Sequence, residues 1–150
     1  MANEITKFDN SSFQLACFYI GEVLCGFDIR YVQEIKKDKD LTKVPLAQDY
    51  ILGIMNLRGQ IVALIDLGKK LDLRPVVRSS QSRIIIVNWN NEFVGLLVDK
   101  ISDVISLETV KIMPPPSNIK GVKGKYFRGV YHLENDLVSI VDIDLVLEER

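Results

Sequence analysis

Gly53-Ile-Met-Asn-Leu-Arg-Gly-Gln-Ile-Val-Ala-Leu-Ile-Asp-Leu67 is the stretch whose reading decides the fold. It reads as two strands joined at Arg58-Gly59. The second strand carries an apolar run rich in β-branched residues: Ile61, Val62, Leu64, Ile65 and Leu67. Glycine has no Cβ and adopts positive φ readily, so Gly59 suits the tight turn of a hairpin.

The pattern returns 76 positions later without a gap. Gly129 answers Gly53, Val130 answers Ile54, and Leu133 answers Leu57. Leu137-Val138 answers Ile61-Val62, and Ile140-Val-Asp-Ile143 answers Leu64-Ile-Asp-Leu67. Asn135, which tolerates positive φ, answers Gly59. A second correspondence runs at an offset of 69, from Gly26–Ile35 to Gly95–Val104, with Ile29, Val32 and Ile35 answered by Val98, Ile101 and Val104. The chain therefore reads as an internal duplication. The first repeat spans about 13–71, the second about 83–147, and 72–82 is the connector, aperiodic and holding Pro75, Ser79, Ser80 and Ser82.

Moving outward, residues 1–12 are polar and predict a flexible terminus. Phe13–Ile20 and Val23–Ile29 read as strands about a Gly21-Glu22 turn, and Tyr31–Ile35 as a half-exposed extended segment. Lys36-Lys-Asp-Lys-Asp40 predicts a solvated loop. Leu41–Pro45 predicts a short strand and Ala47–Leu52 a helical turn. Arg83–Trp89 and Glu92–Val98 predict a hairpin about Asn90-Asn91. Asp66 and Asp142 are placed to cap short helices that close each repeat. Met113-Pro-Pro-Pro116 predicts a stiff extended piece, and Lys120, Lys123, Lys125 and Arg128 a basic solvated loop. About five short strands per half predict a mainly β protein of two small antiparallel barrels with short helices. The seam between such barrels is a natural ligand or partner site.

The 150 residues are 47% hydrophobic, enough for a sizeable core, and the formal net charge is −1. That balance gives no electrostatic reason to expect nucleic acid as a partner, nor direct membrane insertion. No run approaches the roughly 18 apolar residues of a spanning helix, and the N-terminus lacks a signal region. A soluble cytoplasmic protein is expected. Cys17 and Cys25 sit in apolar strands and predict two buried thiols rather than a disulfide.

The inventory for catalysis is thin. His132 is the single histidine, on a strand, with no marked nucleophile beside it. No zinc spacing, calcium loop or phosphate loop occurs, so no metal or cofactor is called for. Elimination favours a binding function over an enzyme. The repeats diverge most usefully at the hairpin tip, where Arg58 becomes Glu134. A packing role predicts similarity, so Arg58 is a candidate for a task specific to one half. Its planar fork pairs bidentately with carboxylates. Glu34 is a candidate intramolecular partner. A competing reading places a small ligand in the seam near Asp28, Asp99 and Asp103.

These residues resemble the bacterial chemotaxis coupling proteins of the CheW family. The resemblance rests on Asp28–Ile35, Val44-Pro45, Gly53-Ile-Met-Asn-Leu-Arg-Gly59, Ile61-Val62 and Ile65-Asp-Leu67 in the first half. In the second it rests on Val94-Gly95, Val98-Asp99, Val104, Ile112, Pro114, Pro116, Gly129 and Val141-Asp-Ile143. It covers about 13–148, read as a single CheW-like domain. It implies two SH3-like five-stranded barrel subdomains and a non-catalytic adaptor. Such adaptors link the cytoplasmic hairpin tips of chemoreceptors to the regulatory domain of the histidine kinase CheA, in arrays at the inner face of the membrane. A related adaptor of pilus-based motility is the variant reading. The resemblance further implies a receptor groove lined by Ile29, Val32, Glu34, Ile101 and Val104, and receptor and kinase coupling at Asn56, Leu57, Arg58 and Gly59. Trp89-Asn-Asn91, Ala63 and the charged 36–40 loop depart from the family pattern.

Overall fold

The computed structural model describes residues 12–38, 42, 48–108, 111–114 and 124–148. The N-terminal stretch 1–11, most of the 41–45 segment, Pro115-Pro116, Lys120 and Lys123 lie outside the described residues.

The elements alternate as the hydrophobic patterning directs. β1 (Ser12–Ile20) and β2 (Val23–Asp28) form a hairpin, followed by a 3-10 turn (Ile29–Tyr31) and β3 (Val32–Lys37). β4 (Ile51–Leu57) and β5 (Gln60–Asp66) form the central hairpin, and α1 (Leu67–Lys70) follows. The second half repeats this order: β6 (Arg83–Trp89), β7 (Glu92–Val98), β8 (Lys100–Glu108), β9 (Phe127–His132), β10 (Leu137–Val141) and α2 (Ile143–Glu148).

Among the described residues ten strands make two five-stranded sheets, ordered β8-β1-β2-β10-β9 and β3-β6-β7-β5-β4. The two orders are the same once the repeats are exchanged. Each sheet takes three strands from one half and its opening hairpin from the other. The exchanged hairpins join their hosts through β1–β8 and β3–β6 antiparallel pairs and β2–β10 and β5–β7 parallel pairs. Short bridges round off each sheet: Thr42 pairs with Ile54, and Met113 with Val130. Gly129 lets the second bridge approach, since a Cβ there would lie 2.4 Å from the Met113 carbonyl oxygen.

Among the described residues the buried apolar side chains form two clusters. Leu15, Cys17, Leu24, Leu107, Val138 and Ile140 lie within the first sheet's subdomain. The larger cluster joins Phe18, Ile20, Cys25 and Phe27 of β1 and β2 to the second sheet and to α2. β1 is thus buried on both faces, which explains its near-continuous apolar sequence. Much of the seam between subdomains is filled core. Both thiols are buried and free, and burial pushes them up, Cys17 to about 11 and Cys25 to about 12.

Local expectations fared unevenly. Asp66 caps α1, its Oδ1 accepting from Lys69 N at 3.0 Å, and Asp142 Oδ1 accepts from Leu145 N at 3.2 Å. Arg58-Gly59 and Asn90-Asn91 both form two-residue turns with positive φ throughout, at 49°, 88°, 52° and 62°. Asn135 does not adopt positive φ. The β9–β10 connection is a four-residue loop closed by Leu133 N donating to Asp136 O at 2.9 Å. Ile51 and Leu52 belong to β4 rather than a helical turn, because pairing with β5 overrides local propensity. Lys36 and Lys37 extend β3 instead of opening the loop, since β6 supplies them with partners.

Candidate functional site

β3 and β4 are the outer strands of one sheet, yet the turn after β4 reaches β3. Arg58 donates to Glu34 Oε2 in a direct ion pair, with the arginine side chain 64% exposed and the glutamate 27%. Lys36 Nζ lies 3.8 Å from the other oxygen of Glu34. The guanidinium, and secondarily the lysine, hold the Glu34 carboxyl below its ordinary range. Alternation puts Val32, Glu34 and Lys36 on the half-buried face of β3, while Gln33, Ile35 and Lys37 face solvent.

The remaining predicted residues divide by role. Asn56 shapes the turn, its Oδ1 accepting from Gly59 N at 2.9 Å. Leu57 is 3% exposed and belongs to the core, so it anchors the hairpin from below. Val32 and Ile101 rest on that same core. Ile29 sits half-buried in the 3-10 turn, which touches both β1 and β6. Val104, opposite Ala16 on β8, is 49% exposed. Exposed Ile35 at 46% is its repeat counterpart on β3. The structure therefore joins Glu34 with Arg58 and Asn56 with Gly59. It sets Val32 and Ile101 on one foundation, with Val104 on the open side of β8.

Polar residues beyond the predicted groove and hairpin tip also hold the surrounding structure together. Asp144 on α2 accepts from Trp89 Nε1 at 2.8 Å and from Tyr31 OH at 3.2 Å, tying α2 to the β6 tip and the 3-10 turn. The departure of Trp89 from the family's small turn was the one signal pointing there. Asp99 accepts from Gly21 N and Val77 N, each at 2.8 Å. Asp28 is buried and takes a bidentate contact from Arg30, with Nη2 at 2.7 Å from Oδ2 and Nε at 3.1 Å from Oδ1. Both carboxylates are thus engaged in structural hydrogen bonds. His132 is exposed at the end of β9. Among the described residues no group of His, Cys, Asp and Glu is placed to hold a metal, and no helix is long and apolar enough to cross a membrane.

The family model described as the CheW-like domain matches residues 14–150. "Chemotaxis protein CheW" of Treponema pallidum is 33% identical over 146 residues, spanning 95% of this chain and 86% of that one. "Chemotaxis protein CheW" of Klebsiella aerogenes is 35% identical over 133 residues, spanning 89% and 80%. Among solved structures, the crystal structure of the scaffolding protein TtCheW from Thermoanaerobacter tengcongensis matches with a TM-score of 0.79 at 33% identity. That match covers 88% of this chain and 85% of the other.

Proposed function

The chain belongs to the CheW-like domain family, and from that premise we propose that it is a non-catalytic chemotaxis adaptor in the cytoplasm. It couples the hairpin tips of chemoreceptors to the regulatory domain of the histidine kinase CheA. Ile29, Val32, Ile101 and Val104 offer apolar anchors to a receptor helix, and Glu34 at their edge fixes its register. Arg58, with Asn56 and Gly59 setting the tip, meets the second partner or stabilises the groove for the first.

The observation that carries this reading is the conformation of Arg58. It is a non-glycine residue at φ 49° in a two-residue turn. A side chain there costs about 1 kcal/mol relative to glycine. Turn formation alone favours Gly or Asn, as the Asn90-Asn91 turn illustrates. The Arg58 guanidinium stands exposed at the tip, held among the described residues by a surface ion pair with Glu34. Such pairs exchange readily for a partner's carboxylate.

The test is titration of the fluorescently labelled chain with a receptor cytoplasmic hairpin fragment and, separately, with the kinase regulatory domain. Wild type is expected to bind both. Arg58→Glu places like charges against Glu34 and is expected to weaken at least one complex about tenfold, roughly 1.4 kcal/mol. Its melting temperature should stay that of wild type. Wild type binding neither partner would overturn the reading.

A further inference from the structure

α1 ends on a lysine where its repeat counterpart is apolar. Position 146, 76 residues beyond Lys70, is a fully buried valine in α2. Lys70 is itself only 6% exposed. Its Nζ lies 4.4 Å from the centre of the Tyr50 ring and 5.2 Å from that of Tyr126. These tyrosines are also 76 residues apart, and their carbonyls accept from the two capping aspartates, Asp66 N to Tyr50 O and Asp142 N to Tyr126 O, each at 2.8 Å. One lysine thus meets both members of a repeat-related pair.

Packing does not call for an ammonium there. Taking one out of water is costly, and an apolar residue of similar size commonly serves as well. The two tyrosine rings face the ammonium and favour its charge. A cavity of about 260 Å³ opens at this point. Among the described residues Lys69, Lys70 and Lys125 line it with Tyr50, Tyr126 and one carboxylate, Asp72, so this part of its wall carries a net charge of +2 (three cations less one anion). The volume falls below the roughly 300–1,000 Å³ of pockets that enclose a whole small molecule. It suits the end of one acidic side chain, flanked by aromatic rings that exclude water and strengthen the charge contact.

We propose that this cavity binds a carboxylate presented by an acidic segment of a partner protein, as a docking point separate from the Arg58 tip. Tyr50 precedes β4 and Arg58 follows it, so the two places lie at opposite ends of a seven-residue strand, about 23 Å apart. The proposal rests on the lysine–tyrosine cluster and stands whether or not the receptor groove is used.

The experiment is an NMR titration of the isotopically labelled full chain at constant ionic strength. The probes are a hexaglutamate peptide, inorganic phosphate and a hexalysine control. Saturable shifts are expected with hexaglutamate at Tyr50, Lys69–Asp72, Lys125 and Tyr126, with Glu34 and Arg58 unmoved and hexalysine silent. Affinity should fall at least tenfold in Lys69→Ala/Lys125→Ala and in Lys70→Met, the latter folding as wild type does. If Lys70→Met fails to fold, the double variant, changed only at side chains bordering solvent, decides alone. Shifts spread over all surface lysines, shifts surviving the double variant, absence of shifts, or phosphate binding as well as hexaglutamate would each overturn the proposal.

Discussion

Arg58, in the turn after β4, and Glu34, on β3, stand 24 positions apart in sequence, yet they meet at the surface. Arg58 lowers the pKa of Glu34, so any stability from the pair is present above the ordinary glutamate value of 4.5 and is lost as pH falls through the lowered one. Arg58→Ala should return the Glu34 titration toward 4.5, read by NMR of its side-chain carboxyl. Stability at neutral pH should barely change, as for most exposed pairs. An unchanged titration would place the guanidinium elsewhere. The pair was legible in the sequence because the repeats differ in charge at position 58 while the apolar positions of the hairpin match. The roles of Asp99, Asp144 and Trp89 were not, because each joins segments that only the tertiary fold brings together.

At the scale of elements, α1 shows how little room the fold leaves. A Cβ on Gly68 would sit 1.9 Å from the Arg74 carbonyl oxygen, so the connector lies directly against the helix. Asp66 fixes that packing from the other side, accepting from Val76 N at 3.1 Å as well as capping the helix. Gly68→Ala should destabilise the protein by about 1–3 kcal/mol in urea unfolding. A neutral result would mean that the connector stands away from α1. Strands, two-residue turns and helix caps could be read locally, because alternation, Asn-Asn, Arg-Gly and Asp signals are local. The β9–β10 loop and the start of β4 were misread for the complementary reason. Asn135 offered a turn that its neighbours did not use, and Ile51-Leu52 took the conformation that β5 imposed.

For the whole molecule, duplication was visible in the sequence but exchange was not. The repeats place matching residues at fixed offsets whichever sheet they enter. Only the pairing of β1–β2 with β8 and β10, and of β6–β7 with β3 and β5, reveals the interleaving. Neither half can then complete its own sheet. Separate fragments 1–76 and 77–150 should each lack a cooperative thermal transition, and mixing them should restore one by circular dichroism. Cooperative melting of either fragment alone would contradict the interleaved core. Interleaving also ties β3 and β8, which carry residues of the proposed groove, into one interleaved pair of sheets. The most direct test of the adaptor account is therefore three-component. The receptor hairpin fragment, the chain and the kinase regulatory domain are mixed and followed by size-exclusion chromatography with light scattering. The account predicts a species containing all three, absent when the chain is omitted. Mutual displacement of the two partners, leaving only binary complexes, would contradict it.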